Sequence, residues 1–530
     1  MMAAGNGRRK GALAAVAIVG ALLSVALFLM VGQATFRLGF PLDDAWIHQT
    51  YARNLAATGQ WAFVPGRLSG GSTSPLWTIL LAAGHRMGID PRHWAYSLGA
   101  VALAASGVAA ATWFRLRIDA PQNWTLLVGL MFVLEWHLVW SAASGMEVIL
   151  MIGLAVAVMS LSQPPVHRPG ALGLLVGIGI WIRPDAVSLG LIPATTFLVA
   201  PDWRGRQKLT ALIRFAIGVS LAFVPYLLFN LRTAGSLWPS TFYAKQAEYA
   251  AHRTGPFVSR FLHLALDPQT GGPMNGTGIL LLPGVIVAAV LAIRRRRWAS
   301  LAPLLWALVY LALFAARLPV TYQHGRYQIP ILPVVLVLGW EGIALAAERV
   351  REGPGRLLVR AWAVSAAAVT IAFVPLGARA YGQDVAVIET EMVDTARWIS
   401  THTEQEALIA AHDIGAVGYF GGRDILDLAG LADAEVIPIL RDEAALADLL
   451  NRRGADYLMT FPGWYPMLTA CAPQLHASQG RFAPALGGEN MRVYRWPASP
   501  VAAPEGCMLY SPWPSGTSVA HERDLDPDRR

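Results

Sequence analysis

Apolar segments of membrane-spanning length recur along most of this 530-residue chain, and they constrain its fold more than any other feature. Residues 11–31 are the first of them, about 20 residues long, which is the length of one full crossing. Further spans are predicted at 94–114, 123–140, 146–161, 211–231, 277–293, 299–316, 328–347 and 358–377. Residues 171–200 are too long for one crossing and short for two. Arg183-Pro184-Asp185 interrupts them, and proline disfavours helix in the residue before it. They read as two short helices meeting at a polar corner, which brings the total to about eleven spans. Only 14% of the residues are charged, against roughly 25% in soluble domains. The formal charge of +8 points to basic cytoplasmic loops, since basic residues and exposed aromatics do not interleave as in a nucleic-acid-binding surface.

The basic residues order these spans. RRK (8–10), RLR (115–117), Arg168, RGRQK (204–208), RRRR (294–297) and ERVREGPGR (348–356) all fall on one side. The loops around these pieces carry roughly one basic residue in three positions, the opposite loops roughly one in ten, which is the positive-inside pattern. The first helix is then an uncleaved signal anchor, because a cleaved signal peptide has a shorter apolar region. The N-terminus is expected in the cytoplasm of a bacterial multi-pass plasma-membrane protein. The loop 33–92 and everything after 380 are expected outside.

The loop 33–92 opens with two adjacent acids, Asp43 and Asp44, in PLDDAWIHQTYARNLAATGQWAFVPGRLSGGSTSPLW (41–77). Ala45, Ile47, Tyr51, Ala52 and Leu55 recur at helical spacing, which predicts an amphipathic helix at the interface. A second short helix is predicted over 76–87. At the other end of the chain, residues 383–515 read as a small extracytoplasmic α/β domain. Strands are expected at 407–411, 457–461 and 491–496, and helices at 388–399 and 444–450. A disordered tail is expected over 516–530. Cys471 and Cys507 both lie in this polar region, where one disulfide and two separate thiols are equally open readings.

The charge-derived topology collects ionisable residues on one face of the membrane. They are Asp43 and Asp44, Glu147 at the start of a span, and Arg183 with Asp185 at the broken corner. Tyr243 and Lys245 lie in a long outer loop, and His324, Arg326 and Tyr327 in RLPVTYQHGRYQ (317–328). Charges at membrane depth are costly and face a cavity, a partner or a substrate. Arginine, lysine and histidine suit an anionic phosphate, a carboxylate suits a general base, and tyrosine faces suit sugar rings. Each residue also has a plainer reading. Adjacent acids can be a solvated loop or a helix cap, Glu147 can stabilise a helix N-terminus, and Arg183 with Asp185 can be a structural pair.

LDDAWIHQTYARNLA (42–56), GSTSPLW (71–77), SGME (144–147), RPDA (183–186), PSTFYAK (239–245) and HGRYQIPILP (324–333), in this order, resemble the GT-C class of integral-membrane glycosyltransferases. The nearest likeness is to bacterial terminal arabinofuranosyltransferase-like enzymes; protein O-mannosyltransferases and lipid A aminoarabinose transferases are more distant. The resemblance covers about residues 8–380 and extends loosely to AAHDIGAVGYFGGRDILDLAGL (410–431). It implies a GT-C transmembrane catalytic domain over 1–380, a polyprenyl-phosphate sugar donor and inverting transfer outside the cytoplasm. The acceptor is a hydroxyl of a cell-envelope glycan, lipid or protein. Asp43 occupies the position of the catalytic base, and Asp44 would orient the acceptor or bind a cation. Glu147 matches a second acidic position, while Lys245, His324 and Arg326 match donor contacts. Some relatives use a divalent cation, and no ligand set for one stands out here. Two other readings are open from the residues alone: a transporter or flippase of lipid-linked sugars, which the broken helix would suit, and a membrane-anchored glycan-binding scaffold.

Overall fold

The computed structural model describes residues 2–266, 272 and 274–497. It is mostly helical, with one small sheet near the C-terminus. Helix α1 (Met2–Thr35) is predominantly apolar over Gly11–Thr35, and Val19, Leu22 and Leu23 on it are more than half exposed, as lipid-facing residues are. The polar loop then folds into α2 (Asp43–Thr58) and α3 (Pro75–Arg86), where the sequence predicts an amphipathic and a short helix. Helix α4 (Pro91–Arg117) starts at Asp90, whose carboxylate accepts hydrogen bonds from the backbone N–H groups of Arg92 and His93.

Helices α5 (Gln122–Leu134) and α6 (Trp136–Ala143) meet at a 53° bend. Next come α7 (Val148–Leu161) and α8 (Pro169–Ile182). Arg183 is extended (φ −152°), Pro184–Gly190 form a 3-10 turn, and α9 (Leu191–Val199) resumes. This is the broken corner expected from Arg183-Pro184-Asp185. The chain continues through α10 (Gly205–Ala234), α11 (Ser240–Glu248), α12 (Phe257–Leu266), α13 (Gly278–Arg294) and α14 (Ala302–Arg317). A short turn, α15 (Tyr322–Gly325), leads to α16 (Leu332–Arg349) and α17 (Gly353–Ile388).

Among the described residues, six helices are long and apolar enough to cross a membrane, or up to seven when the bent pair counts as one. Shorter apolar helices (α7, α8, Pro184–Val199 and α13) stand where the sequence places the other spans. The chain is a multi-pass membrane protein with the helical architecture expected of it. One of the basic residues counted towards topology is not solvated: Arg117 is buried against Glu341.

Helices α13 and α16 approach through glycine. A Cβ on Gly342 would lie 1.9 Å from the carbonyl oxygen of Gly284. Small residues at such crossings let backbones meet where lipid provides no hydrophobic drive. Gly342→Ala must push the helices apart, and is expected to destabilise the detergent-solubilised protein by about 1–3 kcal/mol, read as a lower melting temperature.

After α17, a π-helical turn (Glu389–Val393) continues into α18 (Asp394–His402). The sheet comprises β1 (Leu408–Ala411), β2 (Asp424–Asp427), β3 (Tyr457–Thr460), β4 (Gln474–Ala477) and β5 (Arg492–Arg495), in the order β2-β1-β3-β5-β4. β1 pairs in parallel with β2 and β3, while β5 is antiparallel to β3 and β4. Three of these strands were expected. β2 (DILD) is flanked by acids and β4 (QLHA) is a polar edge, so neither shows an apolar run. Helix α19 (Gly415–Phe420) follows β1 and packs on α2. Helix α20 (Glu443–Arg453) precedes β3. Cys471 is disulfide-bonded; Cys507 and the tail 516–530 lie outside the described residues.

Candidate active site

The motifs picked out of the sequence meet one another. Asp43 and Asp44 occupy the first turn of α2, and successive side chains on a helix diverge by about 100°. They therefore serve different neighbours. The Asp44 carboxylate lies 2.8 Å from Arg326 Nη1 and 3.5 Å from Lys245 Nζ. Arg326 Nη2 and Lys245 Nζ each donate to the Tyr327 hydroxyl, both at 3.0 Å. Two cations from distant parts of the chain thus converge on one carboxylate and one phenol.

Behind this group the network continues into the helices. His48, one turn along α2 from Asp44, lies with Nε2 3.6 Å from Glu147 Oε2. Its Nδ1 is 3.2 Å from both Ser72 Oγ and Thr78 Oγ1, which ties GSTSPLW to the acidic helix. Arg183 Nη1 donates to Glu147 at 3.0 Å, and its Nε to Asp185 at 3.0 Å. The Tyr310 hydroxyl donates to Asp185 at 2.6 Å. Ser74 Oγ donates to the Ile182 carbonyl, and Trp77 Nε1 to Gly145 at 2.9 Å. Glu147 makes no side-chain cap to α7; its charge is spent on Arg183 instead.

Asp43 points elsewhere. Its Oδ2 accepts from Gly415 N–H at 2.6 Å and its Oδ1 from Ala416 N–H at 2.8 Å, at the start of α19. The residue is 8% exposed. Burial, then the Asp413 carboxylate, push the Asp43 carboxyl up to about 8, against the pull of the two N–H groups. Burial acts on Asp44 in the same direction, but Arg326 and Lys245 outweigh it and hold that carboxyl well below the usual range. The two neighbours are an acid that titrates near neutrality and one that stays ionised. Burial also lowers His48, with Glu147 and Asp44 opposing, so its imidazole is neutral at pH 7.

Two of the expected residues stand apart from this cluster. His324 turns away to Asp384 at 2.8 Å, edge-on to Trp136 and Trp140, and Trp140 Nε1 donates to the same carboxylate at 2.9 Å. Gln323 and His324 have left-handed backbones (φ 55° and 58°), and this turn sends His324 and Arg326 to different partners. Tyr243 is 37% exposed with its ring against Phe242. Sequence reasoning missed His48 and Tyr310. The first carried a signal, since it falls at helical spacing from Asp44; the second is a single hydroxyl in an apolar span. Among the described residues, no group of three His, Cys, Asp or Glu side chains is placed to hold a metal ion. Both Asp44 oxygens face side-chain cations.

The chain has the GT-C fold. It is similar to the structure of ArnT from Cupriavidus metallidurans bound to undecaprenyl phosphate, with a TM-score of 0.59 and 16% identity over 91% of this chain and 99% of that one. It is also similar to the archaeal oligosaccharyltransferase AglB from Archaeoglobus fulgidus, in complex with an inhibitory peptide and a dolichol-phosphate. There the TM-score is 0.59, with 12% identity over 93% of this chain and 75% of that one. Residues 378–494 match a family model described as a domain of unknown function (DUF8728). No curated protein matches the sequence.

Proposed function

We propose that the chain is an inverting glycosyltransferase that moves a sugar from a polyprenyl-phosphate donor to a hydroxyl of a cell-envelope glycan, lipid or protein. The observation that carries this reading is the pairing of Lys245 and Arg326 on Asp44, next along α2 to the buried Asp43, within a GT-C fold. Residues 1–380 form the catalytic membrane domain and 383–515 an extracytoplasmic domain. The basic loops support a cytoplasmic N-terminus, and the disulfide at Cys471 supports an oxidising outer side.

Charge explains the chemistry. Lys245 and Arg326 facing Asp44 leave one net positive charge, which matches the single negative charge of a phosphodiester donor. As the sugar C1–O bond breaks, its electron pair goes to the phosphate oxygen and the leaving group gains a second negative charge. The two cations and the Tyr327 hydroxyl stabilise that charge where it develops. On the opposite face of C1 the acceptor oxygen attacks, and Asp43 takes its proton. Two of the four lone-pair sites of the Asp43 carboxylate are held by Gly415 and Ala416, and two are left for the hydroxyl. The arabinofuranosyl or mannosyl character of the sugar belongs to the same proposal, on the likeness of the motifs alone. A divalent cation, where one is used, would have Asp44 as its nearest acid.

The test is turnover. Purified protein is incubated with a panel of radiolabelled polyprenyl-phosphate sugars and envelope acceptors. Donor-dependent transfer, or slow hydrolysis without acceptor, is expected with at least one donor. Movement of intact donor across vesicles with neither reaction would overturn the assignment in favour of a flippase.

A further inference from the structure

The C-terminal sheet region does more than cover the membrane helices. The loop from His412 to Ala416, between β1 and α19, touches Asp43 at one end and the C-terminal end of α11, the helix of Lys245, at the other. At one end, Gly415 and Ala416 N–H groups bind the Asp43 carboxylate. There is no room for any side chain at Gly415: a Cβ would lie 2.0 Å from the Asp43 carbonyl oxygen and 2.7 Å from Asp43 Oδ2. At the other end, His412 Nε2 lies 3.4 Å from Glu248 Oε1, and its Nδ1 is 2.7 Å from the Tyr465 hydroxyl. Glu248 is the last residue of α11, one helical turn from Lys245. Arg441 Nη2 donates to the Glu248 carbonyl at 3.0 Å, a second hold on the same helix end.

Asp43 and Lys245 are far apart in the chain and belong to separate outer loops. This five-residue loop is bonded to Asp43 itself and, through Glu248, to the end of the helix that carries Lys245. We propose that the 412–416 loop is a positioning element that sets the proton-accepting acid and the phosphate-facing lysine at a working distance, with His412 and Gly415 as positioning residues. This rests on the glycosyltransferase reading for its catalytic consequence, and it gives the DUF8728 region a role inside the reaction centre. The chemistry fits. Burial opposes a charge on His412, but Glu248 outweighs it and raises the imidazole, while His412 in turn lowers the Glu248 carboxyl. Each end of the clamp therefore favours the charged form of the other.

The test uses the full-length protein in detergent or nanodiscs, with His412→Ala, Glu248→Gln, the double variant and Gly415→Ala. His412→Ala and Glu248→Gln are each expected to weaken binding of undecaprenyl phosphate by about tenfold, with the double variant no worse than either. Gly415→Ala is expected to lower kcat by about 100-fold at unchanged affinity for that lipid, as a misplaced group does. Independently of turnover, hydrogen exchange at the Gly415 and Ala416 amides is expected to accelerate in Asp43→Ala while the strands β1 and β3 keep their protection. Folded variants with lipid affinity and kcat within twofold of the parent, or unaltered amide exchange in Asp43→Ala, would overturn the proposal. A parent protein with no transferase activity would instead sink the glycosyltransferase reading, and the exchange measurement would still decide on the clamp.

Discussion

The Asp43→Asn protein is expected to lose sugar transfer by about 100- to 10,000-fold while still binding undecaprenyl phosphate. General-base catalysis contributes roughly 10²–10⁴ in rate, and asparagine cannot take a proton. The substitution keeps the side-chain shape, and its carbonyl oxygen still accepts one of the two N–H bonds from Gly415 and Ala416. Folding and lipid affinity should therefore survive, which separates this variant from a merely structural loss. The parent protein should also show a pH dependence with a definite sign. The carboxyl is pushed up to about 8 by burial and by Asp413, so the proton-accepting form is the minor one at pH 7. kcat/KM should rise by about tenfold per pH unit below that value and level off above it. Asp43→Asn should lose this rise. Retained turnover in Asp43→Asn, or a profile that falls with pH over the same range, would shift the base to another residue.

Much of this arrangement was legible before any coordinates. Apolar length and periodicity placed the helices, and the motifs hold most of the polar residues that meet. Asp44, Lys245, Arg326 and Tyr327 form one bonded group and Glu147, Arg183 and Asp185 a second, with His48 on α2 joining Glu147 to the helix of Asp44. What the sequence could not reveal was partnership across long separations. Asp43 accepts from residues more than 370 positions away, and no local pattern encodes that. Nor does spacing say which of two neighbouring acids meets cations and which meets backbone N–H groups. His324 and Arg326 look like a pair in sequence, yet a left-handed turn divides them. Tyr243 sits two residues from Lys245, and helical rotation carries it outward. The short strands β2 and β4 escaped because four polar-edged residues carry too little periodicity to read.

The contrast between the two acids leads to a second large effect, of opposite sign for neighbouring charges. Lys245→Ala should reduce kcat by about 10²-fold or more, since it removes one of the two cations available to the departing phosphate. Its effect on donor affinity should be smaller, because the donor carries one charge and the product two. Asp44→Asn should act in the reverse sense on binding. With the carboxylate gone, Arg326 and Lys245 face the site with their charges uncompensated, and undecaprenyl phosphate should bind about tenfold more tightly, equivalent to about 1.4 kcal/mol. The same lipid should then raise the melting temperature of Asp44→Asn by more than it raises that of the parent, because it relieves repulsion between the two cations. Turnover should nonetheless fall, limited by release of the doubly charged product, and a burst of transfer should precede a slow steady state. The measurements are lipid binding at two ionic strengths, melting with and without lipid, and single- against multiple-turnover kinetics. If Asp44→Asn instead weakens lipid binding and shows no burst, Asp44 does not compete with phosphate for the two cations, and the charge balance proposed for the site is wrong.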